Sequence, residues 1–129
     1  MEEHVPVEPT LRIGLEEVAT SAAGREGVVW GLEASSDLNA NLVRFEAGRG
    51  VGEHVNGEVD VVFLGVSGSG IVETDGREYV LDAGTFVFVP RGARRSTRGG
   101  PEGFAYLTIH RRRGPLRIGV KADQEATNR

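Results

Sequence analysis

The 129-residue chain has no cysteine. Disulfides and thiolate metal sites are therefore excluded. No apolar run approaches the roughly 18 residues a membrane-crossing helix needs. The first ten residues, MEEHVPVEPT, are acidic and lack the apolar stretch of a secretory leader. These absences lead to the expectation of a cytoplasmic protein without a membrane partner. Aromatics are sparse at 6%, with Trp30 the single tryptophan, expected to serve in packing. Long helical patterns are missing too. The one short candidate is Leu15 to Ala23, where Leu15, Val18 and Ala22 share a face.

Glycine, at 19 residues, is what the chain has in plenty, with 5 prolines. These residues punctuate short apolar runs, which is the pattern of turns in an all-β protein. Strands are expected at Leu11–Ile13, Glu26–Ala34, Leu38–Ala47, Val59–Val66, Ile71–Thr74, Arg77–Leu81, Thr85–Val89, Arg94–Arg98 and Phe104–His110, with an edge strand at Leu116–Val120. Val59–Val66 is a nearly continuous apolar run, as expected of a strand buried on both faces. Asp75-Gly76 is a strong hairpin signal. Ser67–Gly70 and Gly99–Pro101 read as turns or loops. At this length one domain is expected, spanning residues 1–129, with a core of about 26–120, an extended arm at 1–10 that holds His4, and a frayed tail at 122–129. A sandwich or small barrel follows from the spacing of strands and turns.

The net charge is −4, unevenly placed. Residues 1–90 hold 16 acids and 5 bases, whereas residues 91–121 hold 9 bases and one acid, Glu102. The basic segment is expected to pair with carboxylates of the first part. With an acidic overall pI and no nucleic-acid motif, a nucleic-acid partner is not expected.

One stretch carries candidate chemistry, Gly48 to Gly99. Gly48 is followed after five residues by His54-Val55-Asn56, then an apolar strand and Gly68. Gly84 is followed after five residues by Pro90, then Gly92 and Arg95. This double motif resembles the cupin family over residues 38–110. The first cupin motif is usually G, five residues, H-x-H, three or four residues, E, six residues, G; the second is G, five residues, P-x-G, two residues, H, three residues, N. Gly48, His54, Gly68, Gly84, Pro90 and Gly92 match. Asn56 stands at the second histidine, Arg95 at the third and Gly99 at the asparagine. The glutamate position falls on Val61 when both glycine anchors are kept, or on Asp60 if the closing glycine is given up for Ser67.

The resemblance implies an antiparallel double-sheet jelly-roll barrel with a small-molecule site at one mouth. Cupins commonly hold a divalent metal through three histidines and a glutamate. Here only His54 remains of those four. Transition metals need at least three convergent donors, and Arg95 is a permanent cation that cannot ligate. No cofactor is therefore expected. A metal-dependent enzyme would have to assemble its site from atypical ligands: His54, Glu58 or Asp60, and His110.

Without a metal, Arg95 supplies a fixed positive charge, and its planar fork suits a carboxylate or phosphate. His54 beside it can act as a general acid or base. Tyr106, Thr108 and His110 share one face of the last strand by parity. The expected activity is binding of a small polar or anionic metabolite in the barrel, through His54, Asn56, Arg95, Tyr106 and His110. A metal-independent isomerase, epimerase, cyclase or lyase, with His54 and Arg95 as catalytic groups, is the alternative. A third reading is a barrel plugged by Phe63, Phe86 and Phe88 that serves only in assembly. A homodimer is compatible with all three.

Overall fold

The computed structural model describes residues 10–113. The expected arm with His4, the strand at Leu116–Val120 and the tail at 122–129 lie almost wholly outside these residues. A short helix, α1 (Leu15–Ser21), is followed by seven strands: β1 (Gly27–Gly31), β2 (Leu38–Phe45), β3 (His54–Val55), β4 (Val61–Thr74), β5 (Arg77–Asp82), β6 (Phe86–Val89) and β7 (Arg94–Arg111). All strand pairs are antiparallel. The chain is an all-β jelly-roll barrel.

Two strands pass through both layers of the barrel. The first half of β4 lies between β6 and the end of β7, which in turn pairs with β2 and then β1. The second half of β4 lies between β5 and the start of β7, and that start pairs with β3. The bends fall at glycines. Register shifts occur between Gly65 and Ser67 and between Gly68 and Gly70. Gly68 has φ +65, and a Cβ there would lie 2.3 Å from the Gly103 carbonyl oxygen. Only glycine allows both that backbone and that approach.

Several sequence expectations are corrected here. Ser67–Gly70 does not turn the chain; it is a bend inside one 14-residue strand. Gly99–Pro101 likewise lies inside the 18-residue β7 and does not separate two strands. Small polar residues read as turns, yet cross-strand pairing on both sides overrides that local preference. Leu11–Ile13 is not a strand. The Asp75-Gly76 hairpin forms as expected, with φ 49 and 82 at its two central residues, the left-handed pair of a type I′ turn.

The core between the layers contains Val43, Val61, Phe63, Val72, Leu81, Val89, Phe104 and Tyr106. A second cluster lies on the outer face of β2 and β7, where Ala19 of α1 packs on Ala40, Leu42, Ala105 and Leu107, with Trp30 half-buried against them. The interior thus begins before residue 26. Val61–Val66 alternates between buried and half-buried, so the run is fully buried on one face, not both. Phe86 and Phe88 of β6 are 62% and 54% exposed. They do not plug the barrel as the third reading required; only Phe63 points inward. The parity of β6 decides this, because Val87 and Val89 take the inner face. Among the described residues no helix is long and apolar enough to cross a membrane.

Candidate functional site

Arg95 lies near the start of β7, flanked by His54 of β3 and Thr74 of β4. Residues directly opposite in an antiparallel pair carry their side chains on one face, with Cβ atoms about 4.5–5.5 Å apart. His54 and Arg95 are therefore immediate neighbours. Arg95 is only 3% exposed. Its Nε donates to the Ala93 carbonyl at 3.3 Å and its Nη2 to the Pro90 carbonyl at 3.1 Å. Among the described residues no carboxylate forms an ion pair with it. Burial, then the Arg113 charge, depresses its pKa, while Asp60 and Asp75 act in the opposite sense. The guanidinium nonetheless keeps its charge. It has five N–H donors, and the main chain uses two.

The loop before β4 brings Asn56 to the same place. Gly92 has φ +87, and its N–H donates to the Asn56 main-chain carbonyl at 2.7 Å. The Asn56 side chain is fully buried. Its Oδ1 accepts the N–H groups of Glu58 at 2.9 Å and Val59 at 3.2 Å, an Asx turn. Those bonds fix the amide orientation and leave Nδ2 buried without a partner among the described residues. His54 is half-buried, and its Nδ1 lies 2.8 Å from the Gly52 carbonyl. A carbonyl only accepts, so Nδ1 carries the proton and the neutral ring offers Nε2 as acceptor.

The face of β7 that holds Tyr106, Thr108 and His110 is the interior one. Tyr106 packs against Phe63 and Phe104, with centroids at 5.6 and 4.9 Å. Its hydroxyl is 3.0 Å from Thr97 Oγ1, which also accepts the Val51 N–H at 3.0 Å. Burial raises the phenol pKa despite the Thr97 bond, so Tyr106 is a neutral core group. His110 is 4% exposed. Its Nδ1 lies 2.7 Å from the Arg111 carbonyl, while Nε2 is buried and unpartnered among the described residues. Burial is the main depressor of its pKa, followed by the charges of Arg113, Arg111 and Arg112 against the Arg111 carbonyl bond.

The metal that the cupin resemblance implies does not fit these residues. Val61, at the glutamate position, is a core residue at 4% exposure. Asp60 is exposed, and its Oδ1 accepts the Arg91 N–H at 2.9 Å. The Glu58 carboxylate is 3.9 Å from Arg113 Nε. Among the described residues no three histidine, aspartate or glutamate side chains gather as a metal site. The alternative set His54, Asp60 and His110 is thus corrected: the loop turns Asp60 outward to hold the Arg91 main chain.

Sequence reasoning missed two residues. The Arg113 side chain is 8% exposed beside Glu58, and its charge reaches both Arg95 and His110. In sequence it closes a run of three arginines that reads as surface. Thr97 follows Arg95 by two positions on the same inward face, a parity signal that was available. Elsewhere the basic segment does pair with earlier acids, Arg94 with Glu53 at 3.3 Å and Arg98 with Glu78 at 3.6 Å.

Comparison with known proteins places this geometry among relatives. The family model described as "Cupin domain" matches residues 41–108. The chain is 35% identical over 75 residues to dimethylsulfoniopropionate lyase DddW of Ruegeria pomeroyi, a match covering 57% of this chain and 49% of that protein. The chain thus spans about half the length of this curated relative. Among solved structures, KdgF from Halomonas sp. superposes with TM-score 0.60 at 20% identity, covering 66% of this chain and 77% of that one. A Klebsiella pneumoniae protein with a double-stranded β-helix domain gives 0.66 at 16% identity, over 80% and 90%. An RmlC-like cupin from Shewanella frigidimarina gives 0.55 at 26% identity, over 63% and 71%.

Proposed function

We propose, from the premise that this chain belongs to the cupin family, that its barrel binds a small carboxylate on Arg95 without the usual metal. One observation carries this reading. Among the described residues, a guanidinium at 3% exposure is held by two main-chain carbonyls alone. Burying a charge without a counterion costs several kcal/mol, and a bound anion offsets that cost. The free N–H groups form a fork that matches a carboxylate bidentately. Calorimetric titration with propionate tests it. Arg95→Ala should weaken binding by roughly 2–5 kcal/mol, the range for truncating one partner of a buried charge pair. Equal affinity in wild type and variant overturns the reading.

Lyase chemistry is a second reading, supported by the 35% identity to a protein named a dimethylsulfoniopropionate lyase and by the placement of His54 opposite Arg95. A propionate bearing a leaving group on its third carbon has the carboxylate that Arg95 would grip; His54 Nε2 would take the proton from the carbon next to the carboxylate as general base, the C–H electrons would form the carbon–carbon double bond, and the substituent would depart with its bonding pair. His54→Ala separates the two readings. In an enzyme turnover falls with binding largely kept, whereas in a binding module there is no turnover to lose.

A further inference from the structure

Among the described residues β1, β3, β5 and β6 each pair with a single strand. An open strand edge is a template for another strand, and proteins commonly blunt it. β1 carries a bulge between Val28 and Trp30. β3 is only 2 residues long. β5 carries the charges of Arg77, Glu78 and Asp82. β6 has no such device. It reads Phe86-Val87-Phe88-Val89, uncharged and made wholly of strong strand formers. Its phenylalanines are the 62% and 54% exposed rings described above. A cleft of about 500 Å³ opens along this strand, with Tyr79, Phe86, Phe88 and Pro90 among its walls.

The ladder shows which main-chain groups of β6 face that opening. The Gly65 N–H donates to the Thr85 carbonyl at 2.8 Å. Bonded and non-bonded pairs alternate along an antiparallel ladder, so Thr85, Val87 and Val89 address β4. Phe86 and Phe88 turn their N–H and C=O groups away from it. An antiparallel strand that sets a second Phe88 opposite Phe86, and a second Phe86 opposite Phe88, satisfies both residues at once. A second copy of β6 is such a strand, related by a two-fold axis at Val87 that makes every contact twice. Residues directly opposite share a face, so each Phe86 ring comes beside the partner's Phe88. The charges at the ends of β6 fit the same arrangement. Asp82 precedes the strand and Arg91 follows it, both exposed, and neither joins an ion pair among the described residues. Antiparallel pairing sets Arg91 near the partner's Asp82, whereas parallel pairing sets like charges together.

We infer that two copies of this chain join through their β6 edges, antiparallel, with Phe86 opposite the partner's Phe88.

The absence of cysteine allows a direct test on the full chain. In this register Val87 meets the partner's Val87 as a non-hydrogen-bonded pair, Cα atoms about 4.5 Å apart, within the span of a disulfide. Val87→Cys should therefore give a disulfide-linked dimer on mild oxidation. Val80→Cys, exposed on β5, should not. Light scattering over a concentration series should show a reversible wild-type dimer. Phe88→Lys should raise its Kd at least about tenfold, because the position acts twice in a symmetric interface. A wild type that is monomeric at every concentration overturns the inference, whether the edge stays open or residues 114–129 cover it. So does a dimer that Phe88→Lys leaves intact, one that Val87→Cys does not link, or one that Val80→Cys links equally well.

Discussion

Replacing Arg95 by methionine separates a binding arginine from a structural one. The change removes two hydrogen bonds from a charged donor to the Ala93 and Pro90 carbonyls, each worth about 1.5–3 kcal/mol. It also removes the desolvation penalty of a guanidinium 3% exposed, several kcal/mol in the opposite sense. Methionine fills similar volume and adapts to irregular space. The anion-free variant should therefore match wild type or exceed it by up to about 2 kcal/mol. Propionate at a hundred times its Kd should stabilise wild type by about 2.7 kcal/mol. For a domain of this size that is about 10 °C in Tm. The variant should show no shift, and Arg95→Lys only a small part of it, because an ammonium lacks the planar fork. Thermal melts in chloride-balanced buffer without phosphate read all of this. If the anion-free methionine variant loses more than about 3 kcal/mol, and wild type does not respond to propionate, Arg95 is a structural residue and the reasoning fails.

Further outcomes follow from the same coordinates. His110 has a folded pKa below its unfolded value of about 6.5, so the unfolded chain takes up the proton first as pH falls. The stability from neutral His110 is full above pH 6.5 and is lost as pH drops toward the folded pKa; urea midpoints between pH 7.5 and 5 should fall in wild type and fall less in His110→Phe. Phe63→Ala should cost about 3–5 kcal/mol in chemical denaturation, because the ring is 5% exposed in the core. Phe88→Ala, at 54% exposure, should cost under about 1 kcal/mol; an equal loss at the two positions would contradict the strand parity of β6. Gly92→Ala should cost about 1–2 kcal/mol through its φ of +87, and should weaken propionate binding because the Pro90–Ala93 carbonyls that orient Arg95 move with the turn.

Much of the fold was legible in the sequence because it depends on local chemistry. Asp75-Gly76 makes its hairpin by itself, since only such residues accept two consecutive left-handed conformations. Gly48, Gly68, Gly84, Pro90 and Gly92 mark the family framework by spacing alone, and parity along the last strand put Tyr106, Thr108 and His110 on one face. The sequence also determined the loss of the usual metal donors, because Asn56, Val61 and Arg95 are identities rather than positions. Only the tertiary structure decided the rest. Ser67–Gly70 and Gly99–Pro101 carry turn residues yet run inside long strands, because β4 and β7 are each paired on both sides and bend as they cross from layer to layer. Val87 and Val89, not the larger phenylalanines beside them, face the core because β6 is pinned to β4 in one register. Which side of β7 is interior, which carbonyls hold Arg95, and which atoms of Asn56 and His110 lack a partner among the described residues are products of long-range pairing. Burial and hydrogen-bond satisfaction belong to the assembled barrel, so no stretch of sequence holds them alone.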